Sequence, residues 1–210
     1  MELDHIVVAV RDTKTAARAV EERYGLTSIE GGRHSGWGTA NRIVPLGDSY
    51  IELVAVVDEA EAARSVFGKW VARERYTGLH PLGWAVRSHD LDQVAARLGL
   101  TIVAGSRAAG GGELLRWRLA GIEQAAAQPS LPFFIEWGQG TPFPGRIQVA
   151  HRAGLARIQK LKLRGDANRL SDWLGVHSLP VEVWPASSPG VTSVVLTTGT
   201  DEMVLEGHEL

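Results

Sequence analysis

One pattern of residues occurs three times along this chain of 210 residues. The segments VVAVRD (7–12), WAVRSHD (84–90) and KLKLRGD (160–166) each read as a short strand ending in arginine: Arg11, Arg87 and Arg164. Each is followed by an aspartate, Asp12, Asp90 or Asp166, whose carboxylate can accept an orphan N–H at the start of a helix. A helical stripe comes next. In the second copy Leu91, Val94, Ala95 and Leu98 fall on one face, with Ala16, Ala17 and Val20 in the first and Ala167, Leu170 and Leu174 in the third. All three stripes stop at a glycine followed by an apolar residue, Gly25-Leu26, Gly99-Leu100 and Gly175-Val176, as a left-handed helix end requires. These glycines lie 74 and 76 residues apart. Three strand-like runs follow each: 26–30, 38–46 and 49–56, then 101–106, 113–120 and 132–137, then 180–184, 191–198 and 202–206. A period of this length marks a repeated supersecondary unit. The unit is βαβββ, and the fold class is α+β.

The connections are also legible. Asp58-Glu-Ala-Glu61 reads as a capping box, and Ala60, Ala63, Phe67, Trp70 and Val71 continue it, predicting one linker helix over 58–76. GQGTPFPG (138–145) is a loop. The expected organisation is a domain over 1–145, built of units 1–57 and 80–137, with a third unit over 146–210 packed on it.

Composition narrows the function. With 22 basic and 24 acidic residues the net charge is −2, and no basic stripe is present to neutralise phosphates, which argues against a nucleic-acid partner. No apolar run approaches the ~18 residues of a membrane span, and Met1-Glu-Leu-Asp does not read as a signal peptide. The absence of cysteine rules out disulfides, thiolate metal sites and a cysteine nucleophile. The expected location is the cytoplasm, and any metal must use His, Asp or Glu.

Strands present alternate residues to alternate faces. Ile6, Val8 and Val10 form one face of the first strand, and His5, Val7 and Ala9 the other. Ile51, Leu53 and Ala55 lie opposite Tyr50, Glu52 and Val54, and Phe133, Ile135 and Trp137 opposite Phe134 and Glu136. Uniformly apolar faces should pack on the helices. The faces carrying His5, Glu52 and Glu136 should then look into a cleft, with Arg116 and Arg118 on the same side as Glu136. A charge within an apolar strand is costly unless paired or metal-bound.

LDHIVVAV at the start, a glutamate in the fourth strand and paired βαβββ units resemble the vicinal oxygen chelate superfamily. GGRHSGWGTAN (31–41), YIELVAV, GSR with LLRWRL, and FFIEWG are similar to its glyoxalase-like branch, over residues 1 to about 145 and more loosely beyond. The resemblance implies that units one and two pair into a cupped mixed sheet, beside a third module-like C-terminal unit. It implies a divalent metal held by the first and fourth strands of each module, with His5, Glu52 and Glu136 as ligands and Glu136 also catalytic. The fourth ligand position falls on Pro81, which offers no side-chain donor, and His80 is one residue off. Mg, Mn, Fe, Zn or Ni, or no metal, all fit that set. His34 is a substitute ligand or a solvated turn histidine. Arg116 is a candidate anion anchor and Trp37 a candidate pocket wall, so the substrate-binding set is Arg116, His34 and Trp37.

Two functional classes follow from the resemblance. One is a metal-dependent lyase, isomerase or dioxygenase on a small oxygenated metabolite. The other is a metal-free small-molecule or antibiotic-binding protein using the same cleft. In the third unit, Lys160, Lys162 and Glu206 occupy the face that holds His5 and Glu52 in the first. That unit is expected to carry no site, and Glu206 could instead dock a second subunit in a homodimer.

Overall fold

The computed structural model describes residues 1–75, 78–108, 114–199, 201–206 and 208–209. The first unit comprises β1 (Glu2–Ala9), α1 (Thr13–Tyr24), β2 (Ile29–His34), β3 (Thr39–Pro45) and β4 (Tyr50–Val56). A connection of two helices, α2 (Glu59–Ala62) and α3 (Val66–Glu74), leads to β5 (Gly78–Arg87), α4 (Leu91–Leu98), β6 (Ile102–Ala108) and β7 (Leu114–Ala120). After α5 (Ile122–Ala127), β8 (Phe133–Trp137) completes the second unit. The third contains β9 (Ala156–Arg164), α6 (Ala167–Leu174), β10 (Val181–Trp184), β11 (Gly190–Thr198) and β12 (Asp201–Glu206), and β13 (His208–Glu209) ends the chain.

The three aspartates cap as their positions predict. Asp12 accepts from Thr15 N at 2.7 Å, Asp90 from Gln93 N at 2.9 Å, and Asp166 from Asn168 N and Arg169 N. Gly25 and Gly99 both take φ 65°, a left-handed conformation that side chains disfavour. The linker differs from the single helix expected. Ser65 is extended, φ −112° and ψ 149°, and its Oγ accepts from Gly68 N at 2.8 Å, so a fresh cap starts α3. The helix α5 carried no sequence expectation, and the glycine-rich tip 109–113 and Tyr76 lie outside the described residues.

Units one and two form one mixed sheet in the order β2-β3-β4-β1-β5-β8-β7-β6, with β13 added to β5. The first strands, β1 and β5, run antiparallel at its centre, and each pairs in parallel with the last strand of its own unit. The sheet curls until its ends meet: the buried Arg107 of β6 donates to the carbonyl of Gly31 in β2. Two cores result. Ile6, Val8, Leu53, Trp84 and Phe134 pack outward on the helices, and Val7, Val54, Phe67, Trp70, Trp117 and Phe133 pack within the curl.

The third unit repeats the order of elements but not the order of strands. Its sheet runs β10-β9-β11-β12, with β9 and β10 parallel neighbours joined through α6. In unit one the first strand instead sits beside the fourth. The inner face of this second sheet, with Leu161, Leu163, Val194 and Leu196, shares one core with Leu3, Ile6, Trp84 and Val86 of the central strands. It therefore roofs the outer side of the β1–β5 pair.

Two irregularities in that pair matter for the site. Between Leu3↔Val86 and His5↔Ala85 the first strand has one residue too many, Asp4. Between Val7↔Gly83 and Val8↔Pro81 the fifth has one too many, Leu82. Each bulge turns two sequential residues toward one side. Beside the second bulge the fully buried Trp70 ring lies against the Gly83 backbone, and an added Cβ there would stand 2.4 Å from Trp70 Cη2. Overpacking of this kind costs about 1–3 kcal/mol. We therefore expect Gly83→Ala to lose about that much stability in urea unfolding. A variant as stable as the parent would contradict the contact.

Candidate functional site

The curl closes around a polar cluster set in an aromatic wall. His5, Tyr50 and Glu52 enter from β1 and β4, His34 and Asn41 from the β2–β3 hairpin, and Arg107 from β6. Trp37, Phe67, Trp117, Leu119, Phe133, Ile135 and Trp137 enclose them. The space left is about 30 Å³, enough for one or two water molecules.

The Asp4 bulge builds the first half of the cluster. In a regular strand Asp4 and His5 would point to opposite faces. Here both are buried on one side, and His5 Nδ1 lies 2.7 Å from Asp4 Oδ1. A carboxylate only accepts, so His5 carries a proton on Nδ1 and turns Nε2 inward. That nitrogen stands 3.7 Å from Glu52 Oε2. Asp4 Oδ2 also accepts from Trp137 Nε1 at 3.0 Å and from Arg87 at 3.3 Å. The His5 ring stacks on Tyr50, with centroids 4.6 Å apart, and meets the edge of Phe133. Burial, with the negative charges of Asp4 and Glu52 added, holds the Tyr50 hydroxyl well above its ordinary pKa.

The hairpin builds the second half. His34 Nδ1 is 2.8 Å from Thr39 Oγ1, and its Nε2 is 3.1 Å from Asn41 Nδ2 and 3.4 Å from Glu52 Oε1. Asn41 Nδ2 donates to the same Glu52 oxygen at 2.5 Å. Thus Glu52 has an imidazole near each oxygen and an amide on one of them. Gly36 N and Arg33 bind Glu61, tying the hairpin tip to α2.

The structure brings together His5, Glu52, His34 and Trp37 from the expected set and leaves out Glu136 and Arg116. Glu136 points to the opposite face of the sheet. Its Oε2 accepts from Arg118 Nε at 2.8 Å, and its Oε1 accepts from Leu91 N at 3.2 Å, at the start of α4. Arg116 is exposed on that outer face, while Leu115, Trp117 and Leu119 look inward. The face assignment of β7 and β8 is therefore the reverse of the expectation. Its premise fails because β7 and β8 turn their apolar and aromatic face inward.

The strand ladders explain the slip. Matching the helix caps Asp12 and Asp90 makes Gly83 the counterpart of His5, and Ala85 the counterpart of Val7, in the second module. Val7 pairs with Glu52, and Ala85 with Phe133. The second module thus has Gly83 and Phe133 where the first has His5 and Glu52. Pro81 and Glu136 are two and three residues away from those positions, and an odd offset changes face. Asp4, Asn41, Tyr50 and Arg107 carried no sequence expectation. For Asp4 the signal was available, since adjacent charged and imidazole groups inside a buried strand invite a bulge.

These donors do not fit a metal shared between two modules. Ligands come from the first module and its hairpin only, and the Asn41 amide already occupies Glu52 Oε1. Among the described residues no group of three His, Asp or Glu side chains has the spacing of a metal site.

Burial lowers His34 from 6.5 to about 4, against the opposing pull of Glu52, so it is neutral at physiological pH. Between those values the unfolded chain binds the proton and the folded chain does not. The stability linked to His34 is therefore complete above 6.5 and is lost as pH falls toward 4, by on the order of 3 kcal/mol. Urea unfolding across that range should show a steeper acid loss for the parent than for His34→Gln. Identical pH dependences would contradict the burial of a neutral ring.

Comparison with known proteins follows from this geometry. A family model described as a glyoxalase-like domain matches residues 3–176. A hypothetical protein from Staphylococcus aureus superposes with TM-score 0.71 at 15% identity, covering 95% of this chain and 92% of its own. Methylmalonyl-CoA epimerase from Streptomyces coelicolor gives TM-score 0.46 at 19% identity, covering 66% of this chain and 97% of its own. The Mycobacterium tuberculosis epimerase gives 0.45 at 20%, covering 64% and 85%. No curated protein matches the chain. The match across most of the sequence, on a sheet of paired βαβββ units, establishes that the chain belongs to the glyoxalase-like domain family of the vicinal oxygen chelate superfamily.

Proposed function

We propose that the cup is an acid–base site that moves a proton on a small organic molecule, with Glu52 and His5 as the groups that exchange it. The observation that carries this reading is the line Asp4–His5–Glu52 inside an apolar wall. A cavity that only stored a ligand would not require a carboxylate 5% exposed facing an imidazole 3% exposed, because burying such groups is unfavourable. His34 and Tyr50, both displaced by burial, line the same pocket, and perturbed titratable groups gathered in a pocket are a mark of catalysis.

Each residue then has a definite task. Asp4 fixes the His5 tautomer and orientation, leaving Nε2 free to accept a proton. Glu52, held by the Asn41 amide on one oxygen, presents the other toward His5 and the cavity. His34 stays neutral and braces the Asn41–Glu52 contact through its Nε2. The aromatic wall excludes water, which strengthens these electrostatic interactions. A substrate C–H placed beside this pair would lose its proton to Glu52 and regain one from Glu52, or from His5 Nε2 once the proton has crossed the 3.7 Å between them. Reactions of this type include isomerisation and epimerisation next to a carbonyl. The divalent-metal reading of the family is the alternative.

The test is hydrogen exchange. Incubated in D2O with a panel of small 2-oxo and 3-oxo carboxylates and followed by proton NMR, the parent should exchange a C–H next to a carbonyl. Glu52→Gln should slow that exchange by at least about a hundredfold, the usual contribution of a positioned acid or base. Exchange unaffected by Glu52→Gln would overturn the reading. So would near-stoichiometric divalent metal retained by the parent and lost on His5→Ala.

A further inference from the structure

Arg107 is the one feature of the cup that proton transfer does not use. It is 4% exposed and lines the cavity together with His5, His34 and Glu52. Only Nη1 has a partner among the described residues, the Gly31 carbonyl. No described carboxylate lies within ion-pair distance. Glu52 acts on the guanidinium only through its charge, beyond ion-pair distance, and is already engaged by Asn41 and flanked by two histidines. A guanidinium buried with most of its fork unpaired is unfavourable unless an anion completes it. The planar fork suits a carboxylate bound through two oxygens.

The second observation is a neighbouring cavity of about 510 Å³. Trp37, Phe67, Leu119 and Ile122 line both it and the cup, so the two spaces share one wall. Its own lining includes Val66 and Val103, large apolar side chains 38% and 50% exposed. The size is that of a space for a small organic ligand, whereas the cup holds no more than a head group.

We propose that the ligand is an amphipathic monoanion: a carboxylate head gripped by Arg107 in the cup, and an apolar body lying in the adjoining cavity. This rests on the cup being the functional site, as proposed above. It adds that Arg107 recognises the ligand's charge and that the shared aromatic wall selects its shape.

The experiment is equilibrium binding, by NMR titration, of 4-phenylbutyrate, its neutral amide 4-phenylbutanamide, and acetate. The parent should bind 4-phenylbutyrate at least about tenfold more tightly than either of the others, since the amide lacks the charge and acetate lacks the apolar area. Arg107→Met should remove that advantage over the amide, and Arg107→Lys should restore part of it. Val103→Trp, a change at an exposed position, should fill the adjoining cavity and weaken 4-phenylbutyrate by about tenfold. Equal binding of acid and amide, indifference to Arg107→Met in a folded variant, indifference to Val103→Trp, or no saturable binding of 4-phenylbutyrate would each overturn the proposal. Because binding is read without turnover, hydrogen exchange that fails while 4-phenylbutyrate still binds would remove the catalytic reading alone. Exchange that persists on other compounds while 4-phenylbutyrate fails would remove this one alone.

Discussion

The site depends on a single surplus residue in the central strand. Without the bulge at Asp4, strand alternation would send its carboxylate to the helix side and leave His5 without a fixed tautomer. With it, a carboxylate that is fully buried receives three donors: His5 at 2.7 Å, Trp137 at 3.0 Å and Arg87 at 3.3 Å. That number of partners is what makes an ionised group tolerable in such a place. The three donors come from β1, β8 and β5, so the bond network also fastens the two modules together at the floor of the cup.

The modules share an outline and divide the labour. The first, with its hairpin, supplies His5, Glu52, His34, Asn41 and Tyr50. The second supplies Gly83 and Phe133 at the matching positions, then Trp117, Trp137 and the buried Arg107. A symmetric pair would place two sets of charged groups face to face in one small cavity. The observed pair places one polar set against an aromatic wall, which raises the electrostatic contrast within the cavity. Roofing of the outer side of β1 and β5 by the third unit completes the shielding of these strands. That unit uses its own strand order to do so.

Much of this was legible beforehand, for definite reasons. Caps and glycine stops are local, so Asp12, Asp90 and Asp166 and the glycines after their helices announced three helices correctly. From His5 onward in β1, and throughout β4, the alternation is regular, and His5 and Glu52 face the cup as their patterns predict. What failed was register. Leu82 is a surplus residue without any local compositional sign, and Pro81 and Glu136 were matched to positions that Gly83 and Phe133 occupy. The rule that apolar faces pack on helices also misled, because in β7 and β8 the apolar face is the functional wall and the charged face carries the cap of α4. Arg107 was hidden for another reason. Its burial comes from closure of β6 on β2, a contact between strands far apart in sequence.

The central claim is that the Asp4 bulge sets the protonation of His5. Long-range proton–nitrogen correlation NMR reads that directly from the two ring nitrogens of His5 at neutral pH. The account predicts a protonated Nδ1 and a bare Nε2 in the parent, with the Nδ1 assignment weakened in Asp4→Asn. A His5 ring protonated on Nε2, or one unaffected by Asp4→Asn, would contradict it.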